Sequence, residues 1–386
     1  MPDTHPIPAP SPEALQHSAD LVQHIRDQID ACGGWISFAR YMELALYAPG
    51  LGYYTAGARK FGEEGDFITA PELSSLFGRT LAKQMTEIIS ASAPHILELG
   101  AGSGKLALDM LKEMDRRGCV PESYSILEVS ADLRERQKHL LFQHLPHLFH
   151  RVRWLDRLPE HFSGAIVANE VLDALPVHRV HWLGEQISEW GVAQDDSGFI
   201  WQEREISDKT LLQAARKIGI DGDYASEICL ASRGLVNSLA CCLTQGAALF
   251  IDYGFGTREF YHPQRTTGTL MCHYRHHAHD DPFHLPGLQD ITAHVNFTDI
   301  AECGIDAGLD LAGYTNQAFF LINNGITELL DDTSPENLKA YLPLSAQLQK
   351  LTSPAEMGEL FKVLALSKSL EVPLSGFSCG DLTRLL

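Results

Sequence analysis

Apolar residues recur at helical spacing from about Glu13 to Asp30, where Leu15, Leu21, Val22, Ile25 and Ile29 share a face and Gly33-Gly34 ends the run. A second short helix is expected over Ser37 to Leu46, and a longer one over Leu73 to Ile89 with Pro71 at a first helical position. From His95 the pattern changes. His95 to Leu99 reads as a strand, followed by a glycine-rich turn and a helix over about Lys105 to Arg116. Tyr124 to Val129 leads into a helix over Ala131 to Leu141, and Val152 to Leu155, Ala165 to Ala168 and Ala247 to Ile251 are further short apolar runs. Strand and helix alternating at this spacing predict an α/β fold with a parallel sheet covered on both faces.

Two stretches depart from that alternation. Within an insertion at about 177–245, Val177 to Leu183 and Gln186 to Val192 resemble a hairpin around Gly184-Glu185, and a long helix is expected over Tyr224 to Leu243. The segment at about 256–297 is rich in His, Pro, Gly and Thr and is expected to be a lid or binding loop. A helix near Pro335 to Leu351 and a last strand over Phe361 to Leu366 close the chain. Residues 1–12 hold five prolines and read as a flexible tail, leaving a helical region at 13–90 and the α/β domain at 91–386.

Composition narrows the function. The chain has 386 residues and a formal net charge of −20, which argues against a general nucleic-acid binder because phosphate binding needs surplus Lys and Arg. No run approaches the ~20 apolar residues of a membrane helix, and the N-terminus shows no basic flank, so a cytoplasmic protein without membrane insertion is expected. The eight cysteines form no CxxC pair, so most are expected to be buried thiols. The histidines at 273, 276, 277 and 279 lack two separated ligand pairs, and no metal site is expected.

The chemistry concentrates at four strand ends. Glu98-Leu99-Gly100-Ala101-Gly102-Ser103-Gly104 joins a strand to a helix through glycines at alternate positions, which let backbone approach a ligand at a helix N-terminus. The equal glycine steps differ from the GxGxxG dinucleotide fingerprint, and an acid there suits the cationic sulfonium and amino groups of S-adenosylmethionine better than a pyrophosphate. Glu128 ends the second run, where a carboxylate accepts both hydroxyls of an adenosine ribose; it reads equally as a charge before the helix at Ala131. Asp156, after the third run, is placed to reach the adenine amine or to be a solvated loop acid. Asn169, Glu170 and Asp173 follow the fourth run, where two acids and an amide can hold a cationic acceptor nitrogen, or else cap a helix. Asp66 and Glu72 read as ordinary loop and helix-start acids.

These segments resemble the MidA-like methyltransferases, whose mitochondrial members act as a protein arginine methyltransferase in respiratory complex I assembly. The resemblance rests on ordered blocks, among them GDFITAPELSSLFG (65–78), ILELGAGSGKL (96–106), LEVSADLRERQ (127–137), NEVLDALPVHRV (169–180) and DYGFG (252–256). It implies a Rossmann-like, seven-stranded S-adenosylmethionine-dependent methyltransferase with helical and loop additions. By it, Glu98, Gly100, Gly102 and Gly104 surround the donor's methionine part, Glu128 holds its ribose, and Asn169, Glu170 and Asp173 lie near the transferred methyl. Asp66, Phe67 and Glu72 would sit close to the same pocket, with the 13–90 region covering it. The implied partner is a protein with an accessible arginine, a complex I subunit being the family precedent, and the product is symmetric dimethylarginine. Competing expectations are a small-molecule methyltransferase, a donor-binding assembly chaperone and, more distantly, an NAD-binding reductase. The apolar faces of the insertion and C-terminal helix suit an oligomer or a core, with packing inside one chain the expected use.

Overall fold

Short aliphatic runs ended by glycine turns build one of the two units into which the computed structural model divides; it describes residues 9–56 and 69–386. This unit comprises residues 69–173, 233–257 and 295–386. Its strands are β1 (His95–Leu99), β2 (Ser123–Leu127), β3 (Val152–Leu155), β4 (Phe162–Asn169), β5 (Leu243–Phe255), β6 (Asp310–Asn316) and β7 (Phe361–Lys368). They hydrogen-bond in the order β6-β7-β5-β4-β1-β2-β3, and the short strand Val295–Asn296 pairs with β5 off that path. Neighbours from β5 to β3 are parallel, whereas β7 runs antiparallel to both β5 and β6.

Consecutive residues Ala165, Ile166, Val167 and Ala168 are buried, as are Ala247 to Ile251, so both faces of the sheet are covered. On one face Ile96, Val167, Ile251 and Val363 share a core with α1 (Ser75–Ala91) and α2 (Lys105–Arg116). On the other, α4 (Phe297–Asp306), which follows α3 (Ala131–His144) among the helices used here, packs so closely that a Cβ on Gly304 would lie 2.5 Å from Leu366 Cδ1. Any one of these core aliphatics truncated to alanine would cost about 2–5 kcal/mol.

The sequence pattern missed β6, because Gly313 interrupts it where Phe377 packs onto the backbone and the register shifts. The helix expected over Leu73 to Ile89 is broken: Ala70–Leu73 forms one turn with Pro71 near its start, and Ser74 then turns extended and accepts from Leu76 N to begin α1.

The other unit comprises residues 9–56, 174–232 and 258–294. Helices Pro12–Ala31 and Phe38–Tyr47 begin at Ser11 and Ser37, whose hydroxyls accept from Ala14 N and Arg40 N. The first helix therefore starts at Pro12, inside the stretch expected as a tail. An antiparallel sheet runs Ile36–Ser37, Gln186–Asp195, His178–Leu183, Asp223–Ile228, with Gly198–Glu205 added beside Gln186–Asp195. The helix expected over Tyr224 to Leu243 is instead the strand Asp223–Ile228 and the helix Leu230–Cys242, since pairing with His178–Leu183 overrides local propensity. The stretch expected as a lid-like loop contains a three-stranded sheet of Met271–Tyr274, His277–His279 and Asp290–Thr292, with Arg275 and His276 turning at positive φ.

The domain boundaries shift accordingly. The 13–90 region does not hold together, because its described part to residue 56 joins one unit and residues 69–90 the other. The insertion separates at 174–232, and residues 258–294 join the same unit. Of the cysteines only Cys242 and Cys272 are buried; Cys32, Cys241 and Cys379 are exposed, which corrects the expectation of mostly buried thiols. Among the described residues no helix is long and apolar enough to cross a membrane.

Candidate functional site

The loop after β1 leaves the sheet by extending its ladder one step, Gly100 N donating to Leu127 O at 2.9 Å. Gly100, Gly102 and Gly104 have φ of 61°, 53° and 84°, a left-handed region that glycine enters without strain. Gly104 stands immediately before α2. A Cβ there would lie 3.1 Å from Gln137 Cγ, and one on Gly100 would lie 3.0 Å from Val171 Cγ2. The second contact brings the glycine loop against the turn that follows β4.

Glu98 is fully buried and accepts from Tyr124 Oη at 2.6 Å. Burial pushes its carboxyl up to about 7, the Tyr124 hydroxyl opposing and the nearby Glu128 reinforcing the rise. Glu128 is also buried, and its Oε1 accepts from Ser130 N at 3.0 Å. Desolvation raises its carboxyl above the ordinary value, against hydrogen bonds from Ser130, Gln137, Gly102 and Val129.

Two residues of α3 hold this region, and in the sequence they stand out only as part of the LEVSADLRERQ block. Gln137 Nε2 donates to Gly102 O at 2.8 Å and to Glu128 Oε2 at 3.1 Å, while its Oε1 accepts from Trp154 Nε1 at 2.9 Å. Arg134 donates to Glu128 O at 2.6 Å and Leu155 O at 2.7 Å, tying together the ends of β2 and β3. Its remaining nitrogen pairs with Asp156 at 2.6 Å, and the Asp156 side chain is 90% exposed. Asp156 is thus separated from the buried acids by exposure.

Glu72 accepts from the Ser103 hydroxyl and so touches the glycine loop, which links the PE block to the site. Asp66 and Phe67 lie outside the described residues.

Across the sheet, Asn169 ends β4 and its Nδ2 donates to Glu170 Oε1 at 3.0 Å. Asn169 Oδ1 is buried and finds no hydrogen-bond partner among the described residues. Glu170 adopts a left-handed φ of 52°, costly for a side-chain-bearing residue, and its N–H donates to Ile251 O at 2.9 Å. Asp173 is buried nearby, and the buried Asp252 at the end of β5 accepts from Leu172 N at 3.0 Å and Asp173 N at 3.2 Å. Burial first, then the charges of Asp173 and Glu170, push the Asp252 carboxyl well above the usual range. The structure therefore brings Glu98, the three glycines, Glu128 and Glu72 into one cluster, and Asn169, Glu170 and Asp173 into another that adjoins it through Val171. Asp252 had been visible only as part of the DYGFG block; its position at a strand's carboxyl end was the available signal.

Known proteins resemble this arrangement. Residues 76–315 match a family described as "Putative S-adenosyl-L-methionine-dependent methyltransferase". The chain is 30% identical to the protein arginine methyltransferase NDUFAF7 of Danio rerio, over 93% of this chain and 92% of that one. It is 31% identical to its counterpart in Bos taurus, over 90% and 83%. A solved protein from Burkholderia thailandensis bound to S-adenosyl-homocysteine superposes with a TM-score of 0.95 at 47% identity, covering 99% of this chain and all of that one.

Proposed function

This chain belongs to the S-adenosyl-L-methionine-dependent methyltransferases, and from that premise we propose that it methylates arginine side chains of a protein. Its cofactor is S-adenosyl-L-methionine. The residues present fit that donor: three left-handed glycines keep the backbone before α2 free of side chains, and two buried carboxyls stand at adjacent strand ends. Gly100, Gly102 and Gly104 would admit the methionine part, Glu98 would offset its positive charge, and Glu128 would accept the ribose hydroxyls. When bound, the donor supplies an electrophilic methyl group on a sulfonium.

The observation that carries the acceptor reading is the crowding of Glu170, Asp173 and Asp252 around one turn that touches the glycine loop through Val171. Carboxylates at close range favour a cation entering between them, and the planar donor fork of a guanidinium matches carboxylate geometry. Glu170 would orient the terminal nitrogen, and Asp173 would support the second edge. Because methyl transfer is an in-line displacement, holding nitrogen and methyl within attack distance is the main catalytic task. The nitrogen's bond to the methyl carbon forms as the carbon–sulfur bond breaks and leaves a neutral thioether, and Glu170 would accept the proton that the nitrogen gives up. Asn169 Oδ1, buried and open, adds an acceptor at the same strand end. We take symmetric dimethylarginine as the product and a respiratory complex I subunit as the acceptor, following the resemblance described above.

The test is to incubate the protein with methyl-labelled donor and an extract of cells lacking the gene, then hydrolyse the labelled protein to amino acids. Label in symmetric dimethylarginine supports the reading. Label confined to small molecules, or undiminished label with Glu170→Gln, overturns it.

A further inference from the structure

We infer that Asp252 is a positioning residue for the acceptor: it clamps the turn from Glu170 to Asp173 onto the end of β5 and so sets where the two acceptor-facing acids stand. The inference rests on the arginine reading above. It starts from a mismatch between local chain and local conformation. Glu170 is held at φ 52° without being glycine, a conformation worth about 1–3 kcal/mol of strain unless its surroundings enforce it.

Two restraints enforce it, both from β5. The β4–β5 ladder pairs Asn169 with Ile251, and Glu170 N–H then donates to Ile251 O at 2.9 Å. One residue on, Asp252 Oδ2 accepts from Leu172 N at 3.0 Å and from Asp173 N at 3.2 Å, while Oδ1 accepts from Tyr253 N at 2.9 Å. A single buried carboxyl thus satisfies two consecutive N–H groups of the turn. Hydrophobic packing cannot replace that role, because those donors would otherwise be left unsatisfied.

A carboxyl is an expensive choice for a clamp here. It is buried beside the acids Glu170 and Asp173. An asparagine would keep an acceptor for the two turn amides and remove the repulsion. Burial and those neighbouring charges favour the neutral carboxyl, so what Asp252 gives the acceptor site is the position of the turn, through the one oxygen that Leu172 N and Asp173 N share.

The experiment uses the full-length protein and the variants Asp252→Ala and Asp252→Asn. It reads amide exchange of the 170–173 segment, calorimetric titration with S-adenosyl-L-methionine, and the initial rate of label transfer into extract protein with acceptor limiting. Asp252→Ala should lose exchange protection at Leu172 and Asp173 and about 100-fold in transfer rate, with donor affinity within about threefold of wild type. Asp252→Asn, which keeps an acceptor for the two turn amides, should keep that protection and at least about a tenth of the rate, and the loss in Asp252→Ala should shrink as the acceptor concentration is raised. An Asp252→Asn protein that loses protection and rate as Asp252→Ala does, or an Asp252→Ala loss that is the same at every acceptor concentration, overturns the inference. Unchanged exchange in Asp252→Ala, or donor binding lost together with transfer, also overturns it. A wild-type protein that labels no arginine is a different failure: it removes the arginine reading and with it the acceptor role of Asp252, whatever the variants do.

Discussion

Two glutamates of the sheet-bearing unit are equally hidden and behave oppositely. Glu113 on α2 is buried, and its carboxylate receives Arg116 and Arg117 at 2.6 Å and Arg79 at 3.1 Å. Burial opposes its charge, but the three guanidiniums together hold its carboxyl down at about 2. Glu98, at the end of β1, accepts from the neutral Tyr124 hydroxyl, and burial carries it to about 7. Low solvent exposure alone therefore does not decide ionisation; how deep the group lies and the charges arranged around it decide it together. An acid whose countercharges are supplied by its own helix serves the fold, whereas an acid buried at a strand end beside a glycine loop is stabilised in its charged form only when a cationic ligand arrives.

The strongest way to separate the two regions is Gly104→Val, which forces a left-handed backbone and crowds Gln137. We expect donor affinity to fall by about 100-fold or more in calorimetric titration, against a change within about threefold for Glu113→Ala. A Gly104→Val protein that binds the donor normally would detach the glycine loop from the site.

Next comes Glu98→Gln. The folded carboxyl sits at about 7, above the ordinary value of 4.5, so the fold binds this proton more tightly than the unfolded chain. Its stabilising contribution is present below the unfolded value and is lost as pH rises through about 7. At about pH 8 the variant should therefore be more stable than wild type by up to about 3 kcal/mol in urea unfolding, the gain vanishing below about pH 4.5. Wild-type donor affinity should rise with pH through about 7 and that of the variant should stay flat. A flat wild-type profile would dissociate Glu98 from the donor's charge.

Glu113→Ala should show the opposite sign. Its folded value lies near 2, below 4.5, so its contribution is full above about pH 4.5 and is lost as pH falls toward 2. Because Arg116 and Arg117 are well exposed, we expect a loss of about 2 kcal/mol near neutral pH by urea unfolding, shrinking in acid. The smallest effect belongs to Asp156→Asn. The exposed, Arg134-paired side chain should alter donor affinity by less than about threefold, and a loss of about tenfold would place it at the adenine after all.

By itself the sequence determined the sheet's parallel half and the glycine turn. Strands such as Ala165 to Ala168 are buried on both faces and so are apolar without interruption, and Gly100, Gly102 and Gly104 occupy backbone that other residues enter only with strain. It also placed Glu98, Glu128, Asn169, Glu170 and Asp173 at strand ends, because in an open α/β sheet chemistry follows the carboxyl ends. The tertiary structure alone decided the rest. The strand Asp223–Ile228 exists through pairing with distant residues, and β6 through packing that tolerates a glycine in its middle. Gln137, Arg134 and Asp252 act by meeting backbone groups far along the chain, a distance that no local pattern encodes. The two carboxyls at about 7 and about 2 belong to the same residue type, and only the depth and the charges that the fold assembles around each distinguish them.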